Sequence, residues 1–143
     1  MKKNNQNTNA FLIHISALAG FVFPFGHIIT PLIAWQTLKD RSLFLDEQGK
    51  EAVNFNLSYT LYAFILSIIL IPVFIGSFFS NSNSFDNFHL NFNLNANNLL
   101  TFMSLGTATG LLYLVGIALI IIAALKAKEG ENYKYPFTIK FIK

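Results

Sequence analysis

A chain of 143 residues that is 53% hydrophobic, carries 12% charged side chains and has no cysteine excludes disulfides, zinc–thiolate centres and thiol catalysis. Its net charge of +3 matters less than its placement: all ten Lys and Arg fall at 2–3, 39–50 and 126–143, residues 4–38 carry no charge, and 53–125 carry only Asp86. A soluble domain scatters charge over the wet face of every helix, so this partition marks an integral membrane protein without a separate soluble domain.

Residues 1–9 form a polar, Asn-rich tail, with no small-residue cleavage site after the first apolar run. The apolar stretch 10–38 contains Pro24 and Pro31. Each removes a backbone donor and crowds the preceding turn. The Pro24-Phe25-Gly26 step predicts two short helices, Phe11–Phe23 and His27–Leu38, each about 20 Å long and short of a bilayer core of roughly 30 Å. A broken hairpin fits this better than one kinked span, although both satisfy the apolar pattern. The carbonyls freed at the break must face protein or water.

Segment 39–53 is the densest charged stretch, a cytoplasmic loop and helix start. Asp46 is the predicted N-cap, with Glu47 in the first turn and Lys50 behind it. Glu51, Asn54 and Ser58 then form one polar stripe entering the membrane, extended by Tyr62. Such a stripe packs against other helices because polar groups facing lipid are costly. Its two readings are hydrogen bonding to the opened hairpin backbone near Gly26 or Thr30, and a ligand or ion role.

Two membrane-spanning helices follow, over 54–79 and 99–127, with Pro72 as a kink near the far end of the first. Between them, 80–98 is an external loop with eight Asn and no Lys or Arg. Its alternation of Phe88, Leu90, Phe92 and Leu94 suits a short strand or an irregular loop equally. Gly106 and Gly110 form a GxxxG step, which suits packing against the preceding helix or a second copy. The tail 128–143 alternates large apolar and polar residues around Tyr135 and Pro136. Pro136 keeps it non-helical, and Tyr, Phe and Lys together suit an interfacial cytoplasmic anchor or, alternatively, a docking peptide.

A hairpin over 10–38 puts all ten basic residues on one side, whereas a single span divides them eight against two. The positive-inside rule therefore favours both termini inside, in a multi-pass protein of the bacterial inner membrane. His14 and His27 are the titratable groups of the first segment and candidates for function. No carboxylate in that segment completes a proton relay, no third ligand sits at metal spacing, and His14 with Ser16 face different ways on a helix. Both histidines are therefore expected to be hydrogen-bonded core or interfacial groups.

The fold class these features define is an all-α integral membrane protein, a short broken helical hairpin followed by two long transmembrane helices. The stretches His14–Gly20 with Gly26 and Pro31–Ile33, Asp46–Phe55, and Tyr133–Ile142 resemble a family of small bacterial membrane proteins grouped with the twenty-kilodalton component of the Tic translocon of chloroplasts. The resemblance implies a four-helix membrane protein with no catalytic residues, acting as a subunit or scaffold in protein translocation or membrane insertion. The alternative is a small oligomeric channel or transporter whose broken helices line a site. A membrane enzyme would have to draw on Asp46, Glu47, Glu51 and the two histidines, which form no catalytic arrangement. Catalytic, cofactor and metal sites are thus expected to be none. The expected partners are the lipid bilayer and either a second copy or another membrane protein, not nucleic acid, since the basic clusters are interleaved with membrane-proximal apolar residues.

Overall fold

The computed structural model describes residues 3–79 and 96–143, and the elements among them are all helical. In chain order they are α1 (Lys3–Ile15), a 3-10 segment (Ser16–Phe21), α2 (Gly26–Leu38), a 3-10 turn (Lys39–Arg41), α3 (Leu43–Phe79) and α4 (Ala96–Glu129). The broken hairpin and the two long helices agree with the expected class. The alternation at 88–94 lies outside the described residues.

The hairpin turns at Pro24. The backbone tightens after Ile15, Val22 and Phe23 both donate to the Ala19 carbonyl, and Phe25 adopts a left-handed conformation (φ 61°) ahead of α2. Pro31 lies inside α2 without ending it. The Thr30 hydroxyl, beside the Gly26 carbonyl at 2.7 Å, also meets the Ser16 carbonyl and so ties the two arms together. A glycine is required at 26 because a Cβ there would sit 2.4 Å from the Ala19 oxygen.

Helix α3 starts earlier than the charge pattern suggests. Ser42 is its cap: its Oγ accepts from Leu45 N–H at 3.3 Å and its carbonyl from Asp46 N–H at 3.1 Å. Asp46, the expected cap, is thereby released to bind Trp35 and Lys50. Leu43–Pro72 (30 residues, mean hydropathy 1.7) and Leu99–Glu129 (31 residues, 2.5) are long and apolar enough to cross a membrane. Only 17% and 22% of their most apolar windows are buried, unlike the core helices of a soluble domain, a pattern that suits a lipid environment.

The chain forms two compact units. The first, residues 1–61 and 115–143, holds the core. Ala10, Ile13, Leu45, Ala52 and Ala127 pack together, as do Ala17, Phe55, Ile120, Ala123 and Tyr135. Buried alanines on α1, α3 and α4 let these helices approach closely, the same device that draws helices together in lipid. The second unit, residues 62–114, turns Phe64, Ile68, Ile69, Leu100, Met103, Leu111 and Leu114 outward. Of the two packing partners expected for Gly106 and Gly110, the preceding helix or a second copy, the first is not seen among the described residues, where no atom lies within 4 Å of a Cβ added at either.

These glycines make opposite predictions. Gly26→Ala forces a methyl against rigid backbone and is expected to lose about 1–3 kcal/mol. Gly106→Ala meets open space inside a helix and is expected to be neutral or to gain up to about 1 kcal/mol. Denaturation in detergent followed by the fluorescence of Trp35, the only tryptophan, reads both signs.

Candidate functional site

The first unit is organised by a line of hydrogen-bonded side chains drawn from α1, α3 and the C-terminal tail. The end of α4 directs that tail. Gly130 (φ 83°) allows a left-handed step, Gly130 N–H reaches the Ala127 carbonyl and Glu131 N–H the Lys126 carbonyl, both at 3.0 Å. This pattern of reversed bonds satisfies the last carbonyls of α4 and turns the chain back over α3. The Asn7 amide donates to the Lys128 carbonyl at 3.1 Å, bringing the N-terminal helix to the same place. A side chain at 130 would collide with Asn7, whose Nδ2 lies 2.9 Å from the Cβ position.

From there the tail reaches His14, which is fully buried near the end of α1. Its Nδ1 lies 2.9 Å from the Tyr135 hydroxyl and its Nε2 lies 2.8 Å from Gln48 Oε1. The amide oxygen of Gln48 only accepts, so Nε2 carries the proton. In a neutral imidazole Nδ1 then accepts from the Tyr135 hydroxyl. Burial pushes the Tyr135 phenol well above its usual pKa, so that hydroxyl keeps its proton to donate. Gln48 Nε2 donates to Asn132 Oδ1 at 3.2 Å, and Asn132 Nδ2 donates to Glu47 Oε2 at 3.0 Å. All the donors point one way, from the buried phenol to an exposed carboxylate.

That direction decides what the line can do. Two carboxamides in series stand between His14 and Glu47, and an amide does not relay a proton without passing through an imidic acid. The arrangement therefore holds position rather than moving protons. Tyr135 is fixed further by stacking on Phe55 (4.0 Å between centroids, 11° between planes) and by the edge of Tyr133 at 5.2 Å.

The remaining predicted residues fall into separate groups. Asp46 pairs with Lys50 at 2.7 Å and accepts from Trp35 Nε1 at 2.9 Å, while the Lys39 ammonium lies over the Trp35 ring. Gly49 leaves room for that indole, since a Cβ there would lie 2.1 Å from Trp35 Cδ1. His27 stands apart, half-buried, 2.8 Å from the Thr60 hydroxyl. Glu51 is half-buried one turn beyond Glu47, and Pro136 is exposed where the tail turns. The polar stripe does bind opened backbone, but not that of the hairpin. Asn54 Nδ2 donates to the Ile142 carbonyl and Asn54 Oδ1 accepts from Ile142 N–H, both at 2.9 Å, and Ser58 Oγ accepts from Ile139 N–H at 2.8 Å. The tail is thus docked on α3 rather than lying loose.

Gln48 and Asn132 were not singled out by sequence. Gln48 is 34 residues from His14, and Tyr135 is 121 away, separations at which no local pattern exists. Among the described residues no three His, Asp or Glu side chains gather to hold a metal ion.

The elements among the described residues define an all-helical protein of membrane character, with its N-terminal helix hydrogen-bonded to the end of α4 and its C-terminal tail to α3. Residues 5–142 match the MamF/MmsF family, the magnetosome magnetite crystal formation protein family, and the chain belongs to it. No curated protein and no solved structure shows significant similarity to the chain. The Tic-like assignment is therefore corrected, and the role in protein translocation or membrane insertion falls with it, since the family is described by mineral formation and not by transport. The stretches that suggested the assignment contribute His14, Gln48, Asn54 and Tyr135 to the first unit. They report how this cap packs, and packing does not name a function.

Gln48→Leu leaves the buried His14 N–H without an acceptor and is expected to cost about 1–3 kcal/mol. Asn132→Ala, at an exposed position open to water, is expected to cost less than about 1 kcal/mol. Thermal unfolding of the two variants in mild detergent checks the order.

Proposed function

We propose that this chain is a non-enzymatic, multi-pass membrane protein that serves magnetite crystal formation as a structural component of the membrane around the mineral. The observation that carries the reading, beside the family, is the hydrogen-bonded line from Tyr135 through His14 and Gln48 to Glu47. It uses Tyr135, His14, Gln48, Asn132 and Glu47 to hold three segments together, and the two carboxamides in it separate the imidazole from the carboxylate. What it builds is a fixed arrangement of α1, the first part of α3 and the C-terminal tail.

The contact of Asn7 with the end of α4 supports a topology with both termini on one face. The ten basic residues then lie together on the cytoplasmic side, as the positive-inside rule favours. Single cysteines at Asn4, Asn97 and Lys143 in this cysteine-free chain test it. An impermeant maleimide applied to intact cells is expected to label position 97 alone, and labelling at 4 would overturn the shared face.

The role itself is tested in a magnetite-forming bacterium deleted for its own family member. Electron microscopy of crystal size is expected to show restoration by this chain and weaker restoration by Gln48→Leu at equal membrane abundance. Crystals unchanged from the deletion strain, with the chain correctly inserted, would overturn the reading.

A further inference from the structure

The C-terminal tail has a feature that neither the family nor the cap explains. After Glu131 the chain carries no carboxylate side chain, only Lys134, Lys140 and Lys143 among large apolar residues. Tyr135 turns inward, whereas Phe137, Ile139 and Phe141 are exposed by 88%, 40% and 50%. A tail in water satisfies its backbone with water and needs no side chain to do so. Here Asn54 and Ser58, both almost fully buried, supply hydrogen bonds to the backbone of Ile142 and Ile139. Internal satisfaction of non-helical backbone is what a hydrocarbon environment demands.

The depth agrees. Ser58 lies seven residues beyond Glu51, the last charged residue of α3, or about 10 Å further along the helix axis. It belongs to the uncharged run that crosses the membrane. Ile139 is pinned at the Ser58 level and Ile142 at the Asn54 level, so the tail descends along α3 and comes back. The left-handed conformation of Phe137 (φ 57°) makes the turn after Pro136.

We propose that residues 136–143 form a re-entrant wedge in the lipid interface. Phe137, Ile139 and Phe141 enter the outer acyl region, and Lys134, Lys140 and Lys143 reach back to the phosphates of anionic lipids. The occupant of this apolar face is the bilayer itself, chosen by its depth on α3 and by the cationic side chains that flank it. The inference concerns the tail and lipid, and stands apart from the role in crystal formation.

The test uses the full-length chain with Phe141→Cys carrying an environment-sensitive NBD label. The protein is reconstituted into phosphatidylcholine vesicles with or without phosphatidylglycerol. Blue-shifted emission is expected, with stronger quenching by a nitroxide near the top of the acyl chain than by aqueous iodide. The Asn54→Leu/Ser58→Ala variant, its fold checked by Trp35 emission, is expected to reverse that order by releasing the clamp. Replacing the three lysines by Gln is expected to abolish any gain from phosphatidylglycerol. Dominant quenching by iodide in the parent would overturn the wedge. So would protection from both quenchers, which means cover by protein, and so would retention of lipid contact when the clamp is removed.

Discussion

The first unit depends on a single buried imidazole that is bonded on both nitrogens. His14 lies at the meeting point of α1, α3 and the tail, and each neighbour satisfies one of its ring atoms. The gain from such bonds over bonds to water is modest, about 0.5–1.5 kcal/mol each. The penalty for breaking one is larger, because the partner stays buried and unsatisfied. A register that slid α1 along α3 by one residue would strand His14 and Gln48 together. The line therefore selects one arrangement among several that the small, smooth alanine contacts would accept.

That division of labour follows from the medium. In lipid, tails are as apolar as leucine, so apolar burial gives helices little reason to associate, and close packing with a few hydrogen bonds must suffice. The second unit faces outward with Phe, Ile and Leu and asks nothing of them but apolarity. The first unit combines buried alanines, which set the spacing, with His14, Gln48, Asn54 and Ser58, which set the register. Gly130 links the two requirements, because the turn that ends α4 is also what delivers Asn132 to Gln48 and Tyr135 to His14.

How much of this was legible follows from the range of each signal. Charge placement is a property of whole segments, so the long helices and the membrane environment were readable, as was the break at Pro24. Caps are local but ambiguous: Ser42 and Asp46 both qualify as first residues of α3, and it is the indole of Trp35, arriving from α2, together with Lys50 that engages the Asp46 carboxylate and leaves Ser42 as the cap. The stripe of Asn54 and Ser58 was visible as a demand for partners, yet its partner is a segment more than 80 residues downstream. Gln48 and Asn132 gave no signal because ordinary polar residues near charged ones read as solvated surface. The motifs that suggested a translocon relative were real sequence features whose cause is packing, which is why they misled on function and informed on fold.

The same contrast predicts where identity matters and where composition suffices. Among the outward aliphatic residues described in the second unit, such as Ile68, Ile69, Leu100 and Leu111, one apolar side chain can be exchanged for another. In the first unit the substitution of one amide changes what three other side chains can do, since each donor in the line has its acceptor fixed by the one before. A protein built this way concentrates its specific side-chain pairings in the first unit. The proposed role would then rest on the first unit, whose exposed carboxylates Glu47, Glu129 and Glu131 lie outside the buried line or at its open end.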